Sequence, residues 1–170
     1  MTIILSQKLE KIARDYVPIA TTVFFTILSA TPLHLPGYGS IAANLALMAI
    51  YYWAVYRPDL LSPIAAFFIG MIYDFLVGTP PGLNALVFLF VRTLIGNRGG
   101  ELQGKPFVAL WLGFAGISLG SSLATWMISL IWHFMFLNPL PIIFQAGITI
   151  GVFPFVCWVL VWTQHKILSV

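Results

Sequence analysis

Charge is what this chain has least of. Eight Lys and Arg and five Asp and Glu make up 8% of its 170 residues, where a soluble domain carries about 25%. So few charges cannot cover a water-facing surface, and a mean hydropathy of +0.98 with 60% hydrophobic residues identifies an integral membrane protein. Cysteine is nearly absent: Cys157 alone, in an apolar run, excludes any disulfide within the chain. Phosphate loops, paired metal-ligand motifs and nucleophile elbows are missing as well. The first residues, MTIILSQKLEKIARDY, lack the basic, apolar and small-residue order of a signal peptide, so they are expected to stay on the mature protein.

What is present is a series of apolar runs separated by islands of charge. Spans are read at 16–33, 41–56, 60–77, 82–97, 106–129 and 142–164 of one transmembrane bundle, residues 1–170. The uncharged stretch 106–137 would make a helix of about 48 Å, so its end, IWHFMF, is assigned to the outer interface. Lys8, Lys11 and Arg14 precede the first span, Arg57 lies between the second and third, and Arg92, Arg98 and Lys105 lie at or between the fourth and fifth. Lys166 follows the sixth. The alternate connections, TPLHLPGYGS, GTPPG and LNPLP, contain no Lys or Arg. All eight basic residues thus fall on one side, which predicts six spans in the plasma membrane with both termini cytoplasmic. The net charge of +3 follows from this topology. No basic patch with base-stacking aromatics points to nucleic acid.

Aromatic residues are placed as interfacial belts: Tyr51, Tyr52, Trp53 and Tyr56 at the inner end of span two, Trp111, Trp158 and Trp162 at the inner ends of spans five and six, and Trp126 and Trp132 at the outer face. The first residues, 1–15 and the start of span one, carry Leu5, Leu9, Ile12 and Tyr16 on one stripe. They form either a short amphipathic helix on the anionic lipid surface or a charged lead-in to span one.

One polar residue stands out. Asp74, in FFIGMIYDFLVGTPPG, follows six residues in which only Tyr73 offers a polar side-chain atom. A buried carboxylate without a partner is costly. Two readings remain open: a partly hydrated group accepting N–H bonds from the following turn, or a polar anchor for another protein or helix. An Asp74–Arg92 ion pair is disfavoured, because Arg92 lies about 10 Å deeper along the axis and can snorkel to the inner headgroups. Asp74→Ala is expected to spare insertion and weaken partner capture. A metal site from Asp74, His34 and His133 matches no compact ligand spacing, and none is assigned. The other acids, Glu10, Asp15, Asp59 and Glu101, are read as balancing nearby bases. Gly116, Gly120 and Ala124, and likewise Gly147 and Gly151, recur every four residues and are expected to pack helices closely, mainly within the bundle. Pro154 is expected to bend the last span.

The segment YRPDLLSPIAAFFIGMIYDFLVGTPPGLNALVFLFVR resembles the rod shape-determining MreD family. The resemblance rests on Arg57-Pro58 before span three, Gly70 with Asp74 inside it, Gly78, Pro81 and Gly82 in the turn, and Ala85-Leu86 beyond. TPPG departs from the family, which often has one small or apolar residue before the glycine; a stiffer turn would follow. The resemblance implies an all-α bundle similar to the substrate-binding subunits of energy-coupling-factor transporters. It also implies a non-enzymatic, cofactor-free role in cell elongation: binding the bitopic protein MreC and helping organise peptidoglycan synthesis by RodA and its penicillin-binding protein, with MreB acting indirectly. A rival reading is a transporter's substrate-binding subunit, with Asp74, Asn84, His34 and His133 lining a pocket. An enzyme of lipid-linked substrates would lack a base and a nucleophile.

Overall fold

A computed structural model describes the backbone of residues 2–31, 42–133 and 139–168, and side chains within 16–31, 42–132 and 139–165. Among them every regular element is a helix: α1 Thr2–Ala30, α2 Leu45–Tyr56, α3 Pro63–Val77, α4 Leu83–Gly96, α5 Gly99–Leu102, α6 Phe107–His133 and α7 Leu140–Leu168. Phe107–Trp132 and Leu140–His165 are long and apolar enough to cross a bilayer. The other apolar helices, Tyr16–Ala30, Leu45–Tyr56, Pro63–Val77 and Leu83–Gly96, are shorter.

Helix starts and stops follow local chemistry. Asn44 caps α2, its Oδ1 accepting the Leu47 N–H at 3.0 Å, and Ser62 caps α3 by accepting from Ala65 at 3.1 Å. Pro63 stands at the first helical position, where its missing N–H costs nothing. Residues 2–30 form one unbroken α1, so residues 2–15 extend the helix of span one and do not make a separate one. α6 continues as one helix through Trp132 to His133, beyond the end of span five read at 129.

α2 is the axis of the bundle. Ten consecutive residues, Ala46 to Val55, are buried, so this helix is apolar and enclosed on every side. It packs against α1, α4, α6 and α7, while α3 pairs with α4 and α6 with α7. The aromatic belt expected at its end is therefore core. Tyr51 donates to the Leu110 carbonyl at 3.0 Å, Tyr52 to Gln164 at 2.6 Å, and the Trp53 indole to Thr21 at 3.0 Å. Phe114 and Phe153 stack at 4.1 Å beside Tyr51. Buried Tyr and Trp need such partners for their polar ends. Trp158, Trp162 and Trp132 remain exposed.

Candidate functional site

The α3–α4 hairpin holds most of the residues singled out by sequence. α3 ends on Gly78, in the left-handed conformation at φ 76°, its N–H donating to the Asp74 carbonyl at 2.9 Å. Pro80 to Leu83 then form a tight turn closed by the Leu83 N–H on the Pro80 carbonyl at 3.1 Å. Pro81 fixes the first central position and Gly82, at φ 94°, supplies the positive φ that the second requires.

This turn aims its donors at one carboxylate. Asp74 is fully buried. It accepts from the Thr79 hydroxyl at 2.7 Å, the Asn84 amide at 2.8 Å, and the backbone N–H groups of Gly82 at 2.9 Å, Asn84 at 3.1 Å and Ala85 at 3.3 Å. Three of these N–H groups open α4, where a negative charge also complements the helix dipole. The expectation of bonds from the following turn holds; that of partial hydration does not. Asp74 caps α4 from the neighbouring helix. Its loss would strand donors inside the fold, so Asp74→Ala is expected to destabilise the chain, which reverses the expectation from sequence.

One turn earlier, α3 and α4 meet backbone to backbone. A Cβ on Gly70 would lie 2.5 Å from the Ala85 Cα and 2.8 Å from the Asn84 carbonyl oxygen. No larger residue fits without parting the helices. Gly70, Asp74, Gly78, Pro81, Gly82 and Ala85 are thus one structural unit.

Arg92 closes the opposite end of the hairpin. It is buried, and its guanidinium donates to the carbonyls of Leu61 and Pro58. It neither snorkels to lipid nor pairs with Asp74. Gly96 leaves room for it, since any Cβ there would collide with the guanidinium. Arg57, expected beside Pro58, makes an exposed ion pair with Asp59 at 3.4 Å, the balancing role read for that acid. Gln103 completes this end by donating to the carbonyls of Val55 and Tyr56 at 2.9 and 3.1 Å.

The small-residue stripes behave differently. A Cβ at Gly116, Gly120, Gly147 or Gly151 would meet no described neighbour within 4 Å. Gly116, Gly120 and Ala124 line an apolar groove of about 440 Å³ against Leu86, Phe90 and Leu94 of α4. Among the described residues they do not serve the close helix packing expected of them; Gly70 does.

A second cavity, about 90 Å³, is polar. It lies at the turn end of the bundle, where Asn44 of α2, Tyr73 of α3, Thr79, Asn84 of α4, Ser118, Ser121, Ser122 and Thr125 of α6, and Gln145 and Thr149 of α7 share its walls with apolar Leu47, Val77, Val87 and Ile142. Of these, the sequence places only Asn84 among candidate pocket residues. Ser, Thr, Asn and Gln scattered over apolar helices are a weak signal until their faces converge. His34 lies outside the described residues, as does the His133 side chain, and among the described residues no three His, Cys, Asp or Glu side chains form a metal-binding group.

These features define a helical protein of membrane type whose buried charges are consumed in holding its own backbone. A family model described as rod shape-determining protein MreD matches residues 10–166, and the chain belongs to that family. It is a family of shape-determining membrane proteins, not a known enzyme family. No curated protein and no solved structure matches the chain.

Proposed function

We propose that this chain is a six-span inner-membrane subunit of the cell-elongation machinery that binds an MreC-like bitopic protein. Both termini are cytoplasmic in this reading, which the placement of all eight basic residues supports. Through that partner it helps organise peptidoglycan synthesis by RodA and its penicillin-binding protein. The observation that carries this reading is the surface beside the rigid turn. Phe75, Leu76 and Val77 are 71%, 49% and 45% exposed, directly after the fully buried Asp74. An apolar ridge on an immobilised hairpin end offers a partner's transmembrane helix a surface already ordered before binding, which lowers the entropic cost of association. Asp74 then acts indirectly, by fixing the ridge and turn.

The test is photo-crosslinking in native membranes from a reactive residue at Phe75, with the adduct identified by mass spectrometry. An adduct with an MreC-like bitopic protein is expected. Lipid alone, or an energy-coupling transporter subunit, would overturn the assignment.

A further inference from the structure

The polar chamber is not explained by packing. Asn84 and Ser118 are 5% and 1% exposed, yet each has an atom without a hydrogen-bond partner among the described residues. The Asn84 amide nitrogen donates to Asp74 and Thr79, which orients its oxygen as an unused acceptor. The Ser118 hydroxyl makes no bond to another described residue, although the Ser118 carbonyl accepts from Ser121 at 3.0 Å. No fully occluded polar side-chain atom in the described structure lacks a partner, so these two atoms must open onto free space. Both residues line the chamber.

Its size and charge narrow the occupant. About 90 Å³ far exceeds the space one water needs, roughly 10–15 Å³ on the same measure. That accommodates a water cluster or a molecule of a few heavy atoms. Among the described residues no Lys, Arg, His, Asp or Glu lines the walls, and the nearest described carboxylate, Asp74, is already saturated by its own turn. A charged ligand would lose its hydration and find no counter-charge, a large cost in a low-dielectric site. An uncharged group that both donates and accepts, a hydroxyl or an amide, matches what Ser118 and Asn84 leave open.

We infer that this chamber is a binding recess for a small uncharged ligand bearing hydroxyl or amide groups, which enters together with water. This goes beyond partner binding at the α3 ridge and does not depend on it.

The test uses purified full-length protein in detergent carrying Cys157→Ser, with Ser118→Cys as the reporter. Modification rates are measured with hydroxyethyl, sulfonatoethyl and trimethylammonioethyl methanethiosulfonates, each normalised to its rate with free mercaptoethanol. Lys105→Cys, at an exposed position, is the open control. The neutral reagent is expected to react at least tenfold faster than either charged one at position 118, with no such preference at 105. Glycerol or acetamide should slow the neutral reaction at least twofold. Ser122→Cys, on the same wall, should give the same order and serves if Ser118→Cys fails to fold. Equal rates for charged and neutral reagents would overturn the charge exclusion. No reaction at either position would show a closed chamber, and no protection by either solute would show water alone; both outcomes refute the inference.

Discussion

The α3–α4 hairpin and the α6–α7 pair are both antiparallel apolar helices, yet they are held in opposite ways. The hairpin is joined at one end by Asp74 and at the other by Arg92, and between them its backbones touch at Gly70 and Ala85. α6 and α7 carry the recurring glycines that promise close contact, but those glycines face open space. Their described polar cross-link is the Trp111 indole on the Ile150 carbonyl at 2.9 Å. In lipid, apolar side chains gain little by leaving one hydrocarbon surface for another. Specific geometry therefore comes from buried polar bonds and backbone contact, and the hairpin has both. The α6–α7 pair presents its surface to whatever surrounds it.

Breaking the hairpin at its carboxylate should have the largest effect. Asp74→Ala leaves the donors of Gly82, Asn84 and Ala85 buried and unpaired; at roughly 1–3 kcal/mol per stranded donor, a loss of at least about 3 kcal/mol is expected. Thermal unfolding of the detergent-solubilised protein, followed by size-exclusion chromatography of a fluorescent fusion, measures it. Gly70→Leu comes next, at about 1–3 kcal/mol, because the added side chain meets backbone that cannot rotate away. A wild-type melting temperature for this variant would show that the helices do not approach as closely as described.

Arg92→Met should cost less, about 1–2 kcal/mol, since it leaves two carbonyls without their donor, and that of Pro58 is only partly buried, where water can replace it. Raised protease sensitivity confined to the 57–62 connection would locate the damage. The smallest effect, and one of opposite sign, is expected on α6. Gly120→Ala meets no neighbour within 4 Å and should stabilise the isolated chain by up to about 1 kcal/mol through helix propensity. A fall in melting temperature would mean that the groove is filled in the folded protein, and the contrast between the two pairs would disappear.

Composition, the order of apolar runs and the oddity of Asp74 were legible in the sequence, because each depends on residues adjacent along the chain. The partners of Asp74 were within reach too, since Thr79, Gly82, Asn84 and Ala85 follow it by five to eleven positions. Depth alone had suggested hydration, and depth says nothing of how a turn folds back. Arg92 was misread because its acceptors are carbonyls 31 and 34 residues away, which carry no side-chain signal. Tyr51, Tyr52 and Trp53 could not be assigned from composition, because an interfacial belt and a satisfied core place the same amphipathic rings at the same end of a helix. Glycine spacing misled for a related reason: periodicity shows that a face is smooth and leaves open whether the chain itself covers it.

Every backbone N–H from residue 78 to residue 86 is spent within the hairpin. Gly78 and Thr79 donate to the Asp74 carbonyl, Pro80 and Pro81 have no N–H, and Gly82, Asn84 and Ala85 donate to the Asp74 carboxylate. Leu83 donates to Pro80 and Leu86 to Gly82. The backbone of this loop thus has no donor left to give, while it retains carbonyl oxygens. Such a loop cannot template a neighbouring strand, which needs both groups in alternation. Any protein that bonds to its main chain must bring the hydrogens itself.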